Sequence, residues 1–102
     1  MKIFITAIYV LLLATSSYAE QIDRDIVGCN TEKKLKELLS YVESMDYTSY
    51  QNMLRCGECI GLKKGTIVKT LDIGSFTSAG NTIRLKVKGR KREVWTLQEA
   101  VK

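Results

Sequence analysis

Five apolar residues in the first half of the chain recur at the spacing of a helix. They fall at positions i, i+3, i+4, i+7 and i+10, and they are Leu35, Leu38, Leu39, Val42 and Met45. Because an α-helix has about 3.6 residues per turn, these positions share one face. Asn30 or Thr31 can accept hydrogen bonds from the exposed amides of the first turn. The pattern predicts an amphipathic helix over residues 30–45.

The next ten residues, "DYTSYQNMLR", fit two structures. A short helix would begin at Thr48 or Ser49, whereas a short strand would cover residues 51–55. The apolar residues that suit the helix are Tyr50, Met53 and Leu54. Short apolar runs do not separate the two alternatives, so both stay open here.

After Gly61 the chain changes to the patterns of β-strands. The segment "GTIVKTLDI" is rich in β-branched residues, with Ile67, Leu71 and Ile73 expected on one face. The segment "TIRLKVK" alternates strictly between apolar and basic positions, which is typical of a half-buried strand. Between them "GSFTSAGN" predicts a loop, and "GRK" predicts a turn into a further strand, "REVWTL". The final "QEAVK" predicts a short helical turn.

The first nineteen residues have the layout of a cleaved secretory signal. Lys2 supplies a positive charge, "IFITAIYVLLLA" is uncharged and apolar, and Ser17 and Ala19 are small residues at the expected cleavage site. An uncleaved membrane anchor is the alternative, and the short apolar run disfavours it. A lipoprotein signal ending at Cys29 is rejected because charged residues separate it from the apolar run.

The predicted leader leads to an expected domain organisation and cellular location. We expect a signal peptide over residues 1–19 and a single small domain over 20–102, helical at 30–55 and β-rich at 60–102. The protein is then a bacterial periplasmic or secreted one, with no stable membrane span after cleavage.

Charge is spread unevenly along the rest of the chain. The net charge is +5, and removing the leader with its Lys2 leaves 5 − 1 = +4. Residues 20–60 carry five basic and eight acidic side chains, whereas residues 61–102 carry ten basic and three acidic ones. Such asymmetry indicates an anionic partner. The exported location favours a cell-envelope component or an acidic protein over nucleic acid.

Catalysis and cofactor binding are not expected. The chain contains no histidine, which excludes His-based acid–base pairs and the Ser-His and Cys-His arrangements of hydrolases. A structural zinc site needs four cysteine or histidine ligands, and the chain has three cysteines. We therefore predict neither an enzyme nor a metal or cofactor site.

The three cysteines admit more than one role. Cys56 and Cys59 form "CGEC", the spacing of a thiol oxidoreductase motif, but no βαβ pattern surrounds them. An exported domain this small favours a structural disulfide. The ten residues after the predicted helix can bring the chain back to Cys29, so Cys29 is expected to pair with Cys56 or Cys59. The remaining thiol leaves open a dimer through the odd cysteine.

The segments "GLKKGTIVKTLD" and "TIRLKVKGRKREVWTL" resemble a bacterial Src-homology-3-like small β-barrel domain, over about residues 51–97. The matching positions are Leu62, Gly65, Thr66, Gly89, Val94, Trp95 and Leu97. The resemblance implies a small β-barrel, and together with the helix predicted above it gives an expected α+β fold: an N-terminal amphipathic helix packed on a small antiparallel Src-homology-3-like β-barrel or sheet. It also implies binding rather than catalysis.

The sequence therefore favours an exported, non-catalytic binding module that recognises an anionic envelope component or a protein partner. The residues expected to bind are Arg84, Lys86, Lys88, Arg90, Lys91, Arg92 and Trp95, with Phe76 as a further apolar contact. The alternatives are a secreted or periplasmic inhibitor, immunity or exclusion protein, and a thiol–disulfide exchange protein. Trp95 also suits a place in the core.

Overall fold

The computed structural model describes residues 18–102. Residues 1–17 of the predicted leader therefore lie outside the described residues. Helix α1 spans Glu32–Glu43 within the predicted segment. Thr31 caps it, its hydroxyl accepting from the amide of Lys34 at 3.1 Å. Leu35 and Leu38 are buried, as an amphipathic helix requires.

The apolar face of α1 is shorter than the sequence indicates. The helix ends before Met45, which has a positive φ of 59°. Val42 and Met45 are exposed, so the expectation that they join the buried stripe is wrong. Met45 is exposed because it lies beyond the end of α1, in the turn that leads to residue 47, whereas Val42 lines an open groove.

Helix α2 spans Tyr47–Arg55 and resolves the ambiguity of this segment in favour of a helix. Its cap is Asp46, whose carboxylate accepts from the amide of Ser49 at 3.2 Å and from its hydroxyl at 2.7 Å. The helix therefore begins earlier than Thr48 or Ser49. Met53 is buried, and the two helices form a hairpin.

Six antiparallel strands form one curled sheet, a half-barrel, which makes the fold α+β. The strands are β1 Glu20–Gln21, β2 Ile26–Cys29, β3 Cys59–Leu62, β4 Ile67–Thr77, β5 Gly80–Val87 and β6 Glu93–Leu97, followed by a 3-10 turn at Gln98–Ala100. Their spatial order is β1-β4-β5-β6-β2-β3. Gln21 and Lys102 exchange two backbone hydrogen bonds of 2.9 Å, so the last residues cover the β1 edge. The sequence patterns did not single out β1, β2 or β3, although β3 falls almost wholly within the predicted β-rich region from residue 60.

The hairpin between β4 and β5 replaces the predicted eight-residue loop. Both strands continue into the Gly/Ser segment, leaving Ser78 and Ala79 as the turn. The hydroxyl of Thr77 donates to the carbonyl of Gly80 at 2.7 Å, and Gly80 has a φ of 121°. A positive φ is cheap for glycine, so this position allows so tight a turn.

Two apolar clusters lie on opposite faces of the sheet. The barrel-side cluster consists of Ile22, Leu62, Val68, Ile83, Leu85, Val87 and Val94. The helix-side cluster consists of Cys29, Leu35, Leu38, Met53 and Cys59. The alternation predicted for β5 is confirmed by its three buried apolar residues. In β4 the expected face is wrong, because Val68 is buried and Ile73 exposed, with register shifts along the strand.

A disulfide joins Cys29 to Cys59, one of the two predicted pairings. These residues lie directly opposite each other on β2 and β3, and Cys29 also faces Trp95 on β6. The bond closes a loop with a sequence separation of 30, and that loop contains both helices. Cys56 is the free, exposed cysteine of the described chain. Within residues 18–102, no helix is both long and apolar enough to cross a bilayer.

We expect the double variant Cys29→Ser, Cys59→Ser to lose about 3–4 kcal/mol of unfolding free energy, the loop-closure entropy of a loop this long. Urea unfolding followed by circular dichroism measures the loss. The matched control, Cys56→Ser, removes an exposed side chain and should stay within about 0.5 kcal/mol of the wild type. Equal losses in both would contradict this pairing, and non-reducing peptide mapping would then identify the bridge.

Candidate functional site

The turn between β5 and β6 gathers most of the predicted binding residues. We call this group the cationic turn, and it consists of Lys86, Lys88, Arg90, Lys91 and Arg92. Gly89 supports the turn with a φ of 87°, and the amide of Arg90 donates to the carbonyl of Val87 at 3.0 Å. The segment from 86 to 92 contains no acidic residue, so its positive charges are not offset locally.

The backbone of the turn holds the ammonium group of Lys86 in place. Its Nζ donates to the carbonyl oxygens of Arg90 and Lys91, the latter at 3.1 Å. Lys69 faces Lys86 across the β4–β5 pair. Like charges directly opposite each other destabilise a sheet, so this pair raises the positive potential at the cost of some stability.

A polar pocket of about 460 Å³ lies beside the turn, lined by Asn30, Lys86, Lys91, Arg92 and Glu93. Glu93 Oε1 accepts from a guanidinium N–H of Arg84 at 3.1 Å, and this ion pair offsets the negative charge of Glu93. Within the part of the chain that the structure describes, no side chain of the cationic turn forms an ion pair. The pocket therefore offers three uncompensated cations to an anionic group.

Arg84 has different surroundings from the other predicted cations. It pairs with Glu93 and lies 4.0 Å from Asp72, so it links three neighbouring strands. Its Nε is buried and has no hydrogen-bond partner among residues 18–102. We assign Arg84 to the sheet itself, where it positions Glu93 at the edge of the pocket.

The two predicted aromatic contacts lie away from the cationic turn. Trp95 is half-buried and packs against the helix-side cluster, beneath α1. Phe76 pairs with Asn81 near the β4–β5 turn, at the far end of β5 from Lys88. The structure therefore gathers the basic residues in one place and puts the rings elsewhere.

Two residues of this site were missed by sequence reasoning. Asn30 lines the pocket because β2 brings the start of α1 next to β6, and β2 was not predicted. Lys69 could have been found, since it is a lysine in a predicted strand opposite another basic strand.

The "CGEC" cysteines do not pair with each other. Cys59 is buried in its bond to Cys29, whereas Cys56 lies exposed at the end of α2. No group of three potential metal-ligating side chains occurs among residues 18–102. Disulfide exchange would require opening a bridge that the core covers.

The carboxylate of Glu32 anchors the start of α1 to the sheet. Its Oε2 accepts from the hydroxyl of Thr82 at 2.6 Å and from the amide and hydroxyl of Ser75 at 2.9 and 3.1 Å. Lys36 lies 3.9 Å away. The Thr82 and Ser75 hydrogen bonds lower the pKa of Glu32 to about 2, from an ordinary value of 4.5. This anchor sets the position of α1 over the sheet.

The Glu32 anchor predicts an acid-sensitive contribution to stability. Because the folded pKa is lowered, the contribution is complete above pH 4.5 and is lost as the pH falls towards about 2. The variant Glu32→Gln should be less stable than the wild type near neutral pH, and the difference should shrink through that window. Urea midpoints across the window measure it, and a pH-independent difference would contradict the assignment.

Gly74 packs closely under the Glu32 anchor. A Cβ at this position would lie 2.2 Å from Glu32 Oε2 and from Thr82 Oγ1, and 2.7 Å from Trp95 Cζ3. We expect Gly74→Ala to cost about 1–3 kcal/mol of unfolding free energy, because the anchor must shift.

The matched control for Gly74→Ala is Gly61→Ala, where no atom lies within 4 Å of the added carbon. Gly61 also lies in a strand, so both variants change backbone entropy in the same way. Thermal unfolding of the two variants isolates the steric effect, and equal melting temperatures would show that the anchor tolerates the shift.

In comparisons with known proteins, no protein-family model, no curated protein and no solved structure matches this chain.

Proposed function

We propose that the protein is an exported, non-catalytic binding module that recognises an anionic cell-envelope component through the cationic turn. The observation that carries this proposal is the set of five cations around one β-turn that form no ion pair within residues 18–102, next to a pocket of about 460 Å³. Concentrated positive charge attracts anionic surfaces and raises the local concentration of anionic ligands. The binding residues of the proposal are the cationic turn and Asn30.

The fold supports a binding role. A small curled antiparallel sheet is compatible with a Src-homology-3-like barrel, the fold that the sequence resembles. The chain has no histidine, which removes the commonest general acid and base. Fold analogy does not identify a ligand, so we infer the class of partner from the charge of the site.

Export is part of the proposal. The buried Cys29–Cys59 bond is consistent with an oxidising compartment, since cytosolic thiols are kept reduced. The leader pattern over residues 1–19 points the same way. In the periplasm or outside the cell, anionic lipid headgroups and anionic polymers are the abundant partners for such a surface.

A vesicle-binding titration tests the proposal. Vesicles of an anionic phospholipid mixed with a zwitterionic one should bind the protein, and purely zwitterionic vesicles should not. The triple variant Lys88→Gln, Arg90→Gln, Lys91→Gln should weaken binding by about two orders of magnitude, at about 1 kcal/mol per cation near the surface. Added salt should weaken the wild type more steeply than the variant.

The matched control removes three exposed lysines elsewhere, as Lys33→Gln, Lys63→Gln, Lys64→Gln. It has the same net charge as the triple variant, so a clearly smaller loss shows that the location of the charge matters. Equal losses of vesicle binding in the two triple variants would show that the cationic turn acts only through the net charge of the protein. Equal binding of both vesicle types would overturn the proposal, because charge would then not drive binding. No binding to either type would overturn it in favour of a specific protein target, as expected of an inhibitor or immunity protein.

A further inference from the structure

The end of α1 that lies away from the cationic turn exposes large apolar side chains. We call it the apolar end, and it consists of Val42, Met45, Tyr47 and Phe76, which are 45%, 73%, 59% and 80% exposed. Phe76 joins this region because the β4–β5 turn lies along the last turns of α1, where the hydroxyl of Ser78 donates to Glu43. Large apolar side chains exposed around one helix end are typical of interaction surfaces.

Met45 occupies a backbone conformation that favours glycine. It follows α1 with a φ of 59°, where the amide of Asp46 donates to the carbonyl of Tyr41 at 2.8 Å and so closes the helix end. A glycine here would avoid the steric penalty of the left-handed region. The chain instead has a long apolar side chain at this position, directed into solvent. Local strain that exposes a specific side chain indicates a role for that side chain.

An apolar groove reaches Val42, whose carbonyl accepts from the amide of Met45 at 3.2 Å. Its volume is about 550 Å³, and it is lined by residues from both helices and from β2, β3 and β6, among them Leu39 and Val42 of α1 and Tyr50 of α2. Gly61, also in its lining, adds no side chain, which helps to keep the groove open. A protruding side chain and an apolar groove therefore lie next to each other on one surface.

The charges around this surface suit a second copy of the same surface. Asp25 and Lys63 both line the apolar groove, and Lys36 and Glu43 both line the hollow beside Phe76. Each hollow thus has one carboxylate and one ammonium group. When a two-fold interface carries charges, both signs on the same face allow each group to meet its opposite on the partner. The cationic turn lacks this balance and would repel itself.

The exposed area is on the scale of a protein interface. At their exposed fractions, Tyr47 and Phe76 offer roughly 300 Å², taking about 200 Å² for a whole aromatic side chain. A standard interface uses about 800 Å² on each partner. The two rings thus supply more than a third of that area, before Val42, Met45 and the groove wall are added.

We propose that two copies of the chain associate through their apolar ends about a two-fold axis, with Met45 of each copy entering the groove of the other. The two cationic turns then face away from each other, so one dimer presents two anion-binding surfaces. This contact is distinct from a disulfide bridge through Cys56, because Cys56 lies at the other end of the helical hairpin. The next two residues, Gly57 and Glu58, accept hydrogen bonds from Asn30 at the start of α1.

Sedimentation equilibrium of the native, disulfide-bonded protein tests the proposal, with Cys56 alkylated to prevent a covalent dimer. We expect a monomer–dimer equilibrium in the micromolar to millimolar range. Met45→Asp should weaken association by about tenfold or more, because it places a charge in the apolar groove. Arg90→Asp is the matched control on the cationic turn, and it should leave the dimerisation constant unchanged.

Met45→Gly separates association from folding. Glycine relieves the left-handed strain, so at concentrations where both proteins are monomeric its melting temperature should rise by about 4 °C. The same variant should associate about tenfold more weakly, because the protruding side chain is gone. Association unchanged in both Met45 variants, or a wild type that stays monomeric to millimolar concentration, would overturn the proposal. A dimer lost on alkylating Cys56 would assign the contact to that thiol instead.

Discussion

The structure depends on strand β2, which is held on one side by β6 and on the other by β3, where the Cys29–Cys59 bond fixes the pairing. Both helices belong to the loop that this bond closes, so their ends are kept together at the sheet. Four residues of β2 alone would pair weakly, and the covalent bond compensates for their small number. Because Cys29 and Cys59 are buried beneath the helices, the bond belongs to the core as much as any apolar contact.

Helix α1 lies between the cationic turn and the apolar end. Its first turn is fixed to the sheet by Glu32 and lies beside the pocket of the cationic turn, through Asn30. Its last turn lies beside the hollow at Phe76 and leads into Met45. Charge and apolar surface are thus separated by the length of one helix.

The sequence predicted the elements whose patterns are long enough to show a period. Strand β5 alternates over seven residues and α1 repeats over three turns, so both were found. Strand β2 has four residues, including Gly28, and carries no period, so its position and that of Asn30 beside β6 were not predictable. The exposure of Met45 was also not predictable, because its left-handed conformation lacks the glycine that normally signals a helix end.

The pairing of Gln21 with Lys102 has a consequence for how the chain acquires its structure. Contacts between residues this far apart in sequence raise contact order and slow folding. The β1 edge therefore stays without its cover until Lys102 has been synthesised, whereas the β4–β5 hairpin needs only residues close in sequence and can form earlier. We expect the β1 edge to be the last part of the sheet to close.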